Sequence, residues 1–172
     1  MMKMLEAGGI PPLVDNLRMA DEDNPKGYYE FERVKKLREG DLAWLPEAQG
    51  RVVKVISALL MYLPPTYHYR VLFMQRALAE VLASQREMLI RRGEDANKVS
   101  EEELTRLYEK HLAQVTAWLQ KQPNFSTLFT SYNELITAPW PVIKSVNQFL
   151  GGKLDMEKMA VVIDPSLYRQ RR

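Results

Sequence analysis

Cysteine does not occur anywhere in these 172 residues. That excludes a disulfide framework, a thiolate zinc site and a cysteine nucleophile, and it suits a reducing compartment. An excess of one charge is missing as well: 24 lysines and arginines face 22 aspartates and glutamates, for a formal net charge of +2. So even a balance argues against nucleic acid as the main partner. Long hydrophobic runs are lacking. The longest, Val55–Leu63, is about half of what a membrane helix needs. Lys3 is followed by only two apolar residues before Glu6, so the N-terminus does not read as a secretory signal. The expected location is the cytoplasm, with no membrane partner; a longer N-terminus would still leave room for a targeting segment upstream. Internal repeats, low-complexity stretches and linkers are also absent, and nothing has the spacing of a metal site. The nine methionines read as fillers of core gaps.

What is present suits one soluble domain over residues 1–172: 46% hydrophobic residues for a core and 27% charged residues for a surface. Met1–Ala7 reads as a helix stopped by Gly8–Gly9. Ile10–Gly27 is turn-rich, with Pro11–Pro12, Asp15–Asn16 and Asn24–Pro25, and its acidic run Asp21–Asp23 reads as a solvated loop. Tyr29–Glu39 has helical composition, with Gly40 as its stop. Val52–Ser57, β-branched and preceded by Gly50, reads as a buried strand, and Tyr69–Met74 as the next. Ala77–Arg92 is an amphipathic helix with Leu78, Val81, Leu82, Met88 and Leu89 on one side and Gly93 as its cap. Ser100 and Glu103 form a capping box for a helix from Glu101 to Gln120. Phe125–Thr130 reads as a third strand, Pro139 begins a helix ending at Gly151–Gly152, and Asp155 caps a short last one. Strands alternating with helices predict an α/β fold, a parallel sheet flanked by helices.

Within this pattern Tyr69–Gln85 carries the most chemistry. It is a strand, then Arg76 at the strand's end, then a helix bearing Ser84 eight positions after the arginine. Ligands of parallel α/β sheets bind where strands end and helices begin, and a guanidinium there can clamp a phosphate through two hydrogen bonds. The bland alternative pairs Arg76 with Glu80 on the helix surface and bonds the Ser84 hydroxyl back to the carbonyl one turn earlier.

This run resembles the sulfotransferase family, in which an arginine at a strand end and a serine eight residues later hold the 3′-phosphate of 3′-phosphoadenosine 5′-phosphosulfate (PAPS). Asn24–Glu30 (NPKGYYE), Arg51–Ser57 (RVVKVIS) and Phe149–Arg169 resemble bacterial members in the same order. The resemblance implies a fold like that of the P-loop NTPases, PAPS as donor, and Arg76 and Ser84 as its 3′-phosphate ligands. It also implies a role for Lys54, since a lysine in this strand lies near the reacting sulfate in the family; the alternative is an edge lysine whose amine reaches water. The family's small-molecule enzymes place a general-base histidine two residues further on, where this chain has Ile56. Neither His68 nor His111 aligns with it. Some branches use a carboxylate, for which Glu30 is the substitute here. Beside Tyr28 and Tyr29 it is suited to accepting a hydroxyl proton; the alternative is an exposed glutamate at a helix start. Tyr28, Tyr29 and Trp44 either line an acceptor pocket or pack the core. The tail Tyr168–Arg172 either touches a phosphate or is solvated.

One hallmark of the family has no counterpart. No PRSGT-type phosphate loop occurs, and Met1–Gly9 resembles the helix that follows it. Either the start lies further upstream, or the short form is natural, with its first strand and half of the cofactor site lost. The upstream coding sequence separates the two. The resemblance implies that the full-length parent transfers a sulfuryl group from PAPS to an unidentified acceptor hydroxyl or amine, while these 172 residues bind adenosine 3′,5′-bisphosphate feebly. A different class remains open: a non-enzymatic module that forms a homodimer through an exposed sheet edge. A monomer by light scattering, melting sharply, argues against it.

Overall fold

The computed structural model describes residues 1–17, 27–95 and 98–164. The acidic run Asp21–Asp23, the Asn24–Pro25 turn and the tail Tyr168–Arg172 lie outside the described residues. Two compact units emerge, Met1–His68 with Ile143–Ile163, and Tyr69–Val142 with Asp164.

In the first unit, helix α1 (Met2–Ala7) buries Met4 and Leu5. It ends as the Gly8–Gly9 pair predicts. Gly9 takes a φ of 105°, and the Ile10 amide donates to the Leu5 carbonyl at 2.9 Å, the 6→1 bond of a helix stop. The predicted helix Tyr29–Glu39 appears as a 3-10 helix over Glu32–Glu39. The reason lies in the spacing. Phe31, Val34 and Leu37 recur every third residue, and three residues per turn line them up on one side. There they meet Leu13, Trp44 and Leu45 to form the core of this unit.

The expected strand Val52–Ser57 is not formed. A single parallel bridge joins Val52 to Pro12, made by Val52 donating to the Pro11 carbonyl and Leu13 donating to the Val52 carbonyl. The ladder cannot extend backward because Pro11 has no N–H. Forward extension fails because the Asp15 amide goes to the Glu30 carbonyl at 3.3 Å. The segment keeps the strand's alternation, with Val53 and Val55 on the core and Lys54 and Ile56 exposed.

The second unit holds the sheet. Strands β1 (Tyr69–Gln75) and β2 (Phe125–Ser131) pair in parallel, Tyr69 opposite Phe125 and Gln75 opposite Ser131. Tilted ring contacts between Tyr69 and Phe125 and between Phe73 and Phe129 reinforce the register. Parallel neighbours need a long crossover, which α2 (Leu78–Arg91) and α3 (Glu101–Leu119) supply. Gly93 closes α2 at a φ of 70°, and Ser100 caps α3 by accepting from the Glu103 amide at 3.2 Å. Helix α4 (Tyr132–Thr137) follows β2 directly, with Ser131 as its cap. Helix α5 (Pro139–Phe149) contributes residues to both units. In the first unit α6 (Met156–Val161), capped by Asp155, packs on α1. The fold is therefore α/β, a small parallel sheet flanked by helices, with two strands among the described residues where the sequence predicts three. No helix among them is long and apolar enough to cross a membrane.

Candidate functional site

Arg76 follows β1 immediately, at the carboxyl end of the sheet. Because Gln75 lies opposite Ser131, the next residues, Arg76 and Tyr132, leave the two strands side by side. The Arg76 guanidinium carbon sits 5.1 Å from the centroid of the Tyr132 ring, a cation–π distance. Its Nε donates to Glu80 Oε2 at 2.8 Å. The surface pairing weighed above is thus made, but not at the surface: the Glu80 side chain is 2% exposed and that of Arg76 24%. Glu80 Oε1 accepts from Asn133 Nδ2, on α4, at 3.0 Å.

Ser84 is exposed on α2. Four residues beyond Glu80, it stands on the same stripe of the helix about 6 Å further along. Among the described residues the back-bond to a preceding carbonyl is made by Thr105 and Thr137 and not by Ser84. Arg76, just ahead of the helix and its N-cap Ala77, supplies a cation, and Ser84 on the helix supplies an exposed hydroxyl, the two kinds of donor that a phosphate monoester takes. In kind, these two side chains are donors that a phosphate group accepts from.

Lys54 and Glu30, both in the first unit, are also brought together. Lys54 Nζ donates to the Tyr28 carbonyl at 3.1 Å, reaches Glu30 Oε1 at 3.5 Å and lies 5.8 Å from the Tyr28 ring centroid. The expectation that Lys54 lies inside a buried strand is corrected. Its side chain is 44% exposed, because the segment forms no ladder, and it is Glu30 that is largely covered at 18%. Lys35 Nζ stands 3.7 Å from the other Glu30 oxygen. The Lys35 ammonium is held above its ordinary range first by its hydrogen bond to Glu32, with Glu30 adding a smaller push. Trp44 belongs to the core at 1% exposure, its indole donating to the Asp41 carbonyl. Tyr28 and Tyr29 are half-buried. His68 is exposed before β1, and His111 lies within α3.

Sequence reasoning missed Tyr132 and Asn133. The signal was there in Ser131 to Glu134, a capping pattern directly after a strand. In a parallel sheet such a junction falls beside the junction of the neighbouring strand.

A fixed cation where parallel strands give way to helices is the arrangement by which α/β proteins receive anionic ligands. A family model described as a sulfotransferase domain matches residues 66–170. This is more than half of the chain, and the chain belongs to that family. The matched segment contains Arg76 and Ser84; Glu30 and Lys54 precede it. Against the curated proteins and against the solved structures the chain finds no match.

Proposed function

We propose that this sulfotransferase-like chain serves the transfer of a sulfuryl group from PAPS to an acceptor hydroxyl or amine, with Arg76 and Ser84 holding the donor's 3′-phosphate. The observation that carries this reading is the Arg76 guanidinium, held at the carboxyl end of β1 by Glu80 and Tyr132. A planar guanidinium receives two phosphate oxygens at once, and the Ser84 hydroxyl offers a third hydrogen bond. The reaction itself needs positioning and charge stabilisation more than covalent help. In the first unit Glu30 is the proposed base that takes the proton the acceptor gives up. Lys54 is the proposed ammonium for the oxygen on which charge builds as the nucleotide leaves. The cytoplasm, rich in reducing power and compatible with a cysteine-free chain, is the proposed compartment.

The test is selectivity for the ribose phosphate. Titration of the polypeptide, followed by NMR chemical shifts so that weak binding is measured, should show adenosine 3′,5′-bisphosphate binding at least about tenfold more tightly than adenosine 5′-monophosphate, the value of one charge-assisted contact. Equal affinities would remove the assignment of Arg76 and Ser84.

A further inference from the structure

The phosphate grip leaves one buried charge without a role. Glu80 is 1% exposed, and a carboxylate taken out of water is costly unless its oxygens are occupied. They are, and from two different elements. Oε2 accepts from Arg76 Nε, and Oε1 accepts from the Nδ2 of Asn133, 53 residues further along the chain in the first turn of α4. The carboxylate therefore ties the end of β1 to the end of β2. The Tyr132 ring adds a third restraint against the guanidinium. An arginine side chain is long and loses rotamer freedom when it binds a ligand; one already fixed loses less.

The carboxylate offsets the charge of the part-buried guanidinium, but for binding a phosphate electrostatics alone gives no reason for an acidic residue here. A carboxylate bonded to the arginine that receives a phosphate repels that phosphate. Its benefit to binding has to be geometric and has to exceed the repulsion. We infer that Glu80 is a positioning residue: anchored by Asn133, it turns the Arg76 guanidinium to receive a ribose 3′-phosphate and so sets the discrimination between nucleotides with and without that group. The inference rests on the assignment of Arg76 to the phosphate.

The sign of one substitution tests it. If Glu80 acted only through its charge, Glu80→Gln would tighten phosphate binding. As a positioning residue, its loss weakens binding of adenosine 3′,5′-bisphosphate by about tenfold and changes adenosine 5′-monophosphate by no more than about twofold. A second readout needs no nucleotide. The Arg76 Nε–H resonance, assigned by its disappearance in Arg76→Lys, shifts and broadens in Glu80→Gln. Asn133→Ala, which keeps the ion pair and removes its anchor, produces the same selective loss and serves if Glu80→Gln does not fold. Unchanged or tighter bisphosphate binding in these variants, with Arg76→Ala still weakened, overturns the role of Glu80 and leaves the phosphate assignment standing. An Arg76→Ala protein that binds like wild type overturns both.

Discussion

Tyr29 sits where non-glycine residues seldom do, at a φ of 52°, and its hydroxyl donates to Glu6 Oε2 at 2.6 Å. Burial first, then the hydrogen bond and charge of Glu6, push its phenol up to about 12. An unfolded tyrosine ionises near pH ~10, so the folded-state value is raised. The stability this contact contributes is therefore complete below that pH and lost as pH climbs through about 12. Ultraviolet titration of Tyr29→Phe should show one tyrosine fewer ionising near the upper value than in wild type; superimposable curves would refute the contact. The same contrast between spacing and environment governs the candidate site. The spacing of Arg76, Glu80 and Ser84 was legible from the chain. The burial of Glu80 was not, because it depends on Asn133 and Tyr132, which the strand register delivers from a distant stretch. Lys54 and Glu30 each stand out in the sequence, but their closeness arises because both segments bond to the stretch 11–15, Val52 to Pro11 and Leu13 and Glu30 to Asp15, which no local pattern encodes.

Helix ends were the most readable elements, because a cap is written in a few adjacent residues. Ser100, Gly93, Pro139 and Asp155 all mark boundaries where expected. Strands need partners, so Val52–Ser57 has the composition of a strand and finds only one bridge. The Glu32–Glu39 segment shows a subtler effect, in which apolar spacing of three overrides helical composition. The packing of α1 on α6 offers a direct test. A Cβ on Gly8 would lie 2.8 Å from Met159 Cγ, and Met159 is fully buried at 0% exposure. Gly8→Ala, whose backbone sits in the ordinary helical region, should therefore destabilise the protein by about 1–3 kcal/mol in denaturant unfolding. An unchanged midpoint would show that the two helices do not meet this closely.

For the molecule as a whole, alternation of strands and helices gave the α/β class correctly. The crossover from β1 through α2 and α3 to β2 falls inside the segment that defines the family. That crossover sets two strand ends side by side, and everything proposed about ligand binding depends on what stands there. The central claim is that Arg76 is the cation for a nucleotide's 3′-phosphate. The measurement that addresses it most directly is the affinity of the Arg76→Ala variant for adenosine 3′,5′-bisphosphate, followed by chemical shifts beside wild type. The account predicts a loss of at least about tenfold with the fold intact; an affinity equal to that of wild type would contradict it.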